Sequence, residues 1–338
     1  MKMPQDLTLS QLESNLKNQT EMLPNIMPLR ANPELLKIKP IYHHDLIAEI
    51  PSPIEHILHP WLPEQGIAFI YAATGVGKTL FSLNVAYAIA CGGNFLKYKV
   101  PCPRKVLYID GEMAYKQVHS RYTQIVAQQG NLDFPDNFCL LTPDKVYPMR
   151  LPKICCPEGQ DFYNQIIDRE KIEVVVFDNL ATLSALDENN TDQWKMIQDW
   201  LVSFRPKGIS IILVHHSGKD KKGYRGTSRM LDCVDTAISL QDISQNDEES
   251  EKIRSRKFKI EYQKSRTFGG QDSLPFEVEL TQAGWNFESS EKNNKCRIIE
   301  MVNDLGMKPK DIATDIGLSV SFVYRMIKKA RQQGLIIS

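Results

Sequence analysis

The sequence predicts an α/β protein with a mainly parallel sheet flanked by helices, antiparallel strands at its C-terminal side, and a small all-α helix-turn-helix unit at the end. Three observations carry this. From Gly66 to about Leu280, apolar runs of strand length alternate with stretches of helical periodicity, the pattern of βα units. The glycine-rich turn "YAATGVGKTLF" over residues 71–81 follows the first of these runs and opens a helix. Residues 292–338 hold nine Lys/Arg against four Asp/Glu, a net charge of about +5, and place apolar residues at helical spacing.

Taken in order, residues 1–50 carry Pro4, Pro24, Pro28, Pro33 and Pro40 among Gln, Asn and Leu, with only a helical hint at Leu9 to Leu16, and read as an arm or extension. Residues 51–285 form the core. Its strands are "GIAFIY" from Gly66, "KVLYID" from Lys105, "IEVVVFD" from Ile172 and "ISIILVHH" from Ile209. These runs are apolar throughout, as strands buried on both faces are. "TAISLQD", "KFKIEYQKS" and "PFEVEL" then read as antiparallel strands, the first two joined across the acidic "NDEESE". Polar residues 286–294 read as a linker, and residues 295–338 as the helical unit.

A chain of 338 residues, 42% hydrophobic, has enough apolar content for a sizeable core and two or three units. Net charge is zero, so any nucleic-acid surface must be local. The seven cysteines show no CxxC spacing, which argues against a zinc ribbon or a dithiol motif and fits a reduced, cytoplasmic protein. No stretch approaches the ~18 apolar residues of a membrane span, and the first residues lack an apolar signal core.

The turn at 71–81 has the parts of a phosphate-binding loop. Glycines let the backbone curl its N–H groups around phosphate oxygens, a lysine meets the β/γ charge, and a hydroxyl ligates Mg²⁺. Thr74, Gly75, Val76, Gly77, Lys78, Thr79 and Leu80 supply this cradle for ATP, although Ala72 stands where the strict motif has its first glycine. Asp178, ending the apolar run "KIEVVVFD", is placed to hold Mg²⁺ with Thr79. The next residue is Asn179 rather than a glutamate. The base that activates water is therefore sought at Glu112, just beyond the strand "VLYID", where ligands bind in open α/β sheets; Asp110 is the competitor. "IILVHHSGK" ends in two histidines, of which His216 is preferred over His215 as the group that senses the γ-phosphate.

The order "ATGVGKT", "YIDGEM", "VVVFDNLATL", "LVHHSGKDKKGYRGTSR" resembles the RecA-like ATPases, and most closely the RepA-type hexameric helicases of broad-host-range plasmids and their AAA-type relatives. The likeness spans about residues 50–280 and includes the lead-in "HPWLPEQ". It implies a RecA-like core, Glu112 as catalytic base, His216 as sensor, and a ring, expected to be a hexamer, that hydrolyses ATP between subunits. It also implies that the loop after His216 faces single-stranded DNA. That loop carries Lys219, Lys221, Lys222, Arg225 and Arg229, cations suited to sequence-independent phosphate contact. One departure stands out. Where the plasmid helicases place a trans-acting arginine, no arginine occurs between Asp232 and Leu240. Arg225, Arg229 or a basic residue of "RSRKFKIEYQKSR" must substitute, or turnover is slow.

In "KPKDIATDIGLSVSFVYRMIKKARQQGLI", Ala313 and Val323 read as interior positions of two helices, Gly317 as the turn, and Ser319 or Ser321 as the cap of the second helix. Ser319, Ser321 and Tyr324 are candidates to reach bases; Arg325, Lys328 and Lys329 are candidates for the DNA backbone. The leading expectation is an ATP-driven DNA helicase of plasmid or mobile-element replication, with an initiator or primase as possible partner. The alternative is an ATP-gated DNA-binding regulator without translocation. RecA-type strand exchange is a weaker third.

Overall fold

The computed structural model describes residues 37–50, 52–129, 135–184, 191–217, 228–244, 255–287, 290–316 and 318–336. Contacts divide the chain into Met1–Pro53 and Ile54–Ser338. In the first unit, the short helix His43–Ala48 buries none of its residues.

The second unit is organised by one nine-stranded sheet. Its strands are β1 (Ile67–Ala72), β2 (Val106–Asp110), β3 (Phe138–Leu141), β4 (Val174–Asp178), β5 (Ser210–His216), β6 (Thr236–Asp242), β7 (Arg256–Ser265), β8 (Phe276–Thr281) and β9 (Gly284–Asn286). The spatial order is β9-β8-β7-β6-β1-β5-β4-β2-β3. All pairings from β6 across to β3 are parallel; β6 to β9 continue as an antiparallel meander. The mainly parallel core with antiparallel strands beyond it is the α/β class that the sequence predicts.

The four long apolar runs form strands because each can bury both faces, and the alternation of side chains sorts them into two layers. Ala68, Ile70, Val174, Val176, Ile212 and Val214 point to one side, with helices α1 (Lys78–Cys91) and α2 (Tyr115–Gln129). Phe69, Tyr71, Val175, Phe177, Ile211 and Leu213 point to the other, against α3 (Pro157–Glu170), α4 (Leu180–Ser184) and α5 (Thr191–Val202). Helix α1 is buried along nearly its whole length, which explains why its sequence "KTLFSLNVAYAIAC" lacks a polar face.

Two strands of this sheet are absent from the sequence reading. Phe138–Leu141 and Gly284–Asn286 have only four and three residues and lie at the sheet's two edges, too short for a periodicity to register. The acidic connection after β6 falls largely outside the described residues.

Three further helices follow: α6 (Ser290–Asn303), α7 (Pro309–Asp315) and α8 (Val320–Gln332). Within the polar stretch 286–294, Asn286 ends β9 and Ser290 opens α6. These helices have an apolar cluster of their own, centred on Ile298, Ile312, Val323, Met326 and Ile327. Among the described residues, no helix is long and apolar enough to cross a membrane.

Candidate functional site

Parallel register brings the candidate residues to one edge. Ala72 pairs with His216, Asp178 with Val214, and Asp110 with Asp178, so β1, β5, β4 and β2 end together, with β5 between the loop strand and the Asp178 strand. Residues far apart in sequence therefore share the carboxyl edge, where open α/β sheets bind ligands.

The loop from Thr74 to Thr79 leaves β1 and enters α1 at Lys78. Gly75 and Gly77 have φ of 80° and 100°, and a side chain at either would meet open space. The glycines are required by dihedral angle rather than by crowding, and the loop leads into a helix N-terminus, whose first N–H groups have no intrahelical partner. Val76 is buried beneath the turn and Leu80 packs on the α1 side of the sheet. Lys78, only 6% exposed, folds back so that Nζ donates to the carbonyls of Ala72 (3.2 Å) and Ala73 (3.0 Å). Burial lowers its pKa, opposed by the charges of Asp178 and Glu112. These residues fit a triphosphate: a helix N-terminus and a lysine cation held by two carbonyls both favour an anion.

Asp178 is 4% exposed and accepts hydrogen bonds from Tyr108 (2.6 Å) and from the Thr79 hydroxyl. Ser82 and Tyr108 hydroxyls are 2.7 Å apart, completing a buried chain from α1 through β2 to β4. Burial raises the Asp178 pKa, while Tyr108, Thr79 and Lys78 pull it down. One carboxylate beside one hydroxyl suits Mg²⁺, which keeps much of its own water.

Asp110, 1% exposed, accepts from the backbone N–H of Glu112 (2.8 Å) and Met113 (2.6 Å) and so closes the turn after β2. Burial pushes its carboxyl up to about 6. That turn carries Glu112 into the exposed mouth of the edge, where its Oε2 accepts from Asn179 Nδ2 at 2.5 Å. Asn179 is held in turn by Thr182, whose backbone N–H donates to Asn179 Oδ1 (3.0 Å). Glu112 is the carboxylate presented outward and Asp110 the one committed to structure.

His216 lies beside the loop, its Nδ1 3.4 Å from Thr74 Oγ1, whereas His215 is 1% exposed and packs against Phe69. Lys219, Lys221, Lys222 and Arg225 lie outside the described residues. Arg229 is exposed, and its carbonyl accepts from the Trp194 indole (3.1 Å).

The sequence reading does not single out Tyr108, Ser82 or Arg256. Tyr108 and Asp110 alternate on β2, a spacing that places them on one face, but only the neighbouring β4 shows what Tyr108 meets. Arg256 opens β7 and donates from Nη1 to the Gly75 carbonyl at 3.0 Å, reaching the phosphate loop of its own chain. Other cations of that segment are engaged elsewhere: Arg266 with Asp235, Lys259 with Glu261.

In the C-terminal helices, Ser319 rather than Ser321 caps α8, accepting from Phe322 N at 3.3 Å. Ala313 and Val323 are buried, and Leu318 packs against the same cluster; Gly317 lies outside the described residues. Ser319, Ser321, Tyr324, Arg325, Lys328 and Lys329 are all exposed, with Arg325 stacked 5.2 Å from the Phe322 ring centroid.

A family model described as an AAA domain matches residues 32–222, more than half of the chain. The protein belongs to the AAA domain family. The match takes in the phosphate loop, Glu112, Asp178 and His216, so the edge described above is that of an AAA-type P-loop ATPase domain. A solved structure of a KaiC-like protein from the archaeon Pyrococcus horikoshii is similar to this AAA protein, at 12% identity and a TM-score of 0.48, covering 69% of this chain and 98% of the other.

Proposed function

We propose that this AAA ATPase is a DNA-stimulated motor of plasmid or mobile-element replication, working as a homo-oligomeric ring, a hexamer by its resemblance to the RepA-type helicases. The observation that carries the reading is the convergence on one edge of Lys78, Thr79, Asp178 and Glu112, with His216 touching the phosphate loop just ahead of the basic stretch 217–229.

In this reading the backbone around Gly75 and Gly77 binds ATP phosphates, and Lys78 turns from two carbonyls toward their charge. Thr79 and Asp178 would hold Mg²⁺, which would neutralise charge on the phosphate oxygens. Tyr108 orients Asp178 by donating to Oδ2. Glu112 accepts a proton from the attacking water; Asn179 occupies its Oε2 and so leaves Oε1 to the water. His216 relays the state of the phosphate site to the following loop, whose cations meet single-stranded DNA. The C-terminal helices tether the ring near an origin, an initiator or a primase.

A second reading, an ATP-gated DNA-binding regulator, is favoured by the capped α8 with its exposed Arg325, Lys328 and Lys329. ATP turnover with and without single-stranded DNA, together with unwinding of a forked duplex, separates the two. The motor requires stimulation and unwinding; ATP-dependent binding of one duplex site with no unwinding establishes the regulator. Lys78→Ala should abolish hydrolysis in either case.

A further inference from the structure

A second concavity opens on the same sheet edge, on the β2 and β3 side. Its volume is about 870 Å³, ample for a nucleotide unit, and it is bounded by the segment Tyr147–Lys153 and by Thr182 of α4. Tyr147 and Met149 are 83% and 73% exposed, far more than large apolar side chains without a partner usually are. Arg150 beside them is exposed, and among the described residues it forms no ion pair or hydrogen bond. The one acidic lining residue, Asp144, is occupied as acceptor for the Tyr115 backbone N–H at 2.7 Å. Lys153 donates to the Thr182 carbonyl. The lining thus offers an aromatic face and two cations with little opposing charge, the combination that takes a base and its phosphate from a single strand.

We infer that this concavity is a single-stranded DNA subsite, with a base stacked on Tyr147 and phosphates on Arg150 and Lys153, coupled to Glu112. The inference rests on the motor reading above. Coupling runs through a chain of hydrogen bonds: Lys153 to the Thr182 carbonyl, Thr182 to Asn179, Asn179 to Glu112. A phosphate that draws Lys153 off Thr182 loosens the turn that holds Asn179, and releases the Glu112 oxygen that Asn179 occupies. Occupancy of this subsite therefore raises turnover.

The test uses the full chain with a thymidine 20-mer carrying 5-iodouracil. Photocrosslinking should mark the tryptic peptide of residues 146–150. Tyr147→Ala and Arg150→Gln should each weaken oligonucleotide binding roughly ten-fold, and Arg150→Gln should lower the salt dependence by about one counterion. Lys153→Met, which leaves Tyr147 and Arg150 in place, should still bind the oligonucleotide, though more weakly, and should lose most of its stimulation of ATP turnover because the Thr182 carbonyl is already released. Crosslinks confined to residues 217–229 or to the C-terminal helices, with unchanged affinity in both variants, overturn the subsite while leaving a DNA-stimulated ATPase standing. Binding at 146–150 with normal stimulation in Lys153→Met overturns the coupling. No binding and no stimulation in the unaltered protein overturn both the subsite and the motor reading.

Discussion

The sheet edge around Lys78 and the C-terminal helices around α8 both gather polar and charged residues, but they hold them in opposite ways. At the sheet edge Lys78, Asp178 and Asp110 are 6%, 4% and 1% exposed, and each is engaged by named hydrogen bonds. On α8, Arg325, Lys328 and Lys329 stand in solvent over a small apolar cluster. Desolvation makes the first region sensitive to a single atom, because a buried charge stripped of its partner costs far more than a solvated one. The second region depends on its apolar cluster, and its surface charges are individually replaceable.

The largest effect expected from this contrast is at Glu112. Glu112→Gln should cut ATP turnover by ~10² to 10⁴-fold while retaining nucleotide binding, because the amide preserves size and the contact to Asn179 but accepts no proton. Single-turnover hydrolysis beside a fluorescent-nucleotide titration checks this; unimpaired hydrolysis would remove Glu112 from the mechanism.

A smaller effect belongs to the helical unit. Ile298 is fully buried in its cluster. Ile298→Ala should cost about 2–5 kcal/mol, enough to open residues 290–336 while nucleotide binding persists. Hydrogen exchange read by peptide would show the loss of protection confined to these helices; loss spread through β1, β4 and β5 would mean that the two regions unfold together.

The smallest concerns Asp110. Burial raises its carboxyl to about 6 from an ordinary 3.8, so between those values the folded chain holds the proton more tightly than the unfolded one. Its contribution to stability is therefore greatest below pH ~4 and is lost as pH rises through about 6. In magnesium-free buffer, Asp110→Asn should flatten the stability profile across that window by up to ~3 kcal/mol. Urea denaturation at pH 4 and pH 7 measures it, and equal slopes in both proteins would show that the carboxyl titrates as if exposed.

Much of this architecture was legible because the relevant signals are local. A strand buried on both faces writes itself as an unbroken apolar run, so β1, β2, β4 and β5 stand out, while edge strands such as Phe138–Leu141 do not. Gly75 and Gly77 are readable because a left-handed backbone admits few other residues. Tyr108, Arg256 and Thr182 were not readable: their partners lie 70, 181 and 3 residues away, and in each case the meaning depends on where the partner stands. Asn179 stands in the sequence where a glutamate is expected, yet its contact with Glu112 appears only once β2 and β4 lie side by side.

The order of residues thus determined the phosphate loop, the carboxylate that ends β4 and the alternation that makes a parallel sheet, since dihedral preference and burial act within a few residues. Tertiary structure decided which of two carboxylates faces outward, which tyrosine steadies Asp178 and which arginine meets the loop. Those outcomes depend on strand order and register, and strands brought together across a sheet leave no trace in the spacing of the residues they join.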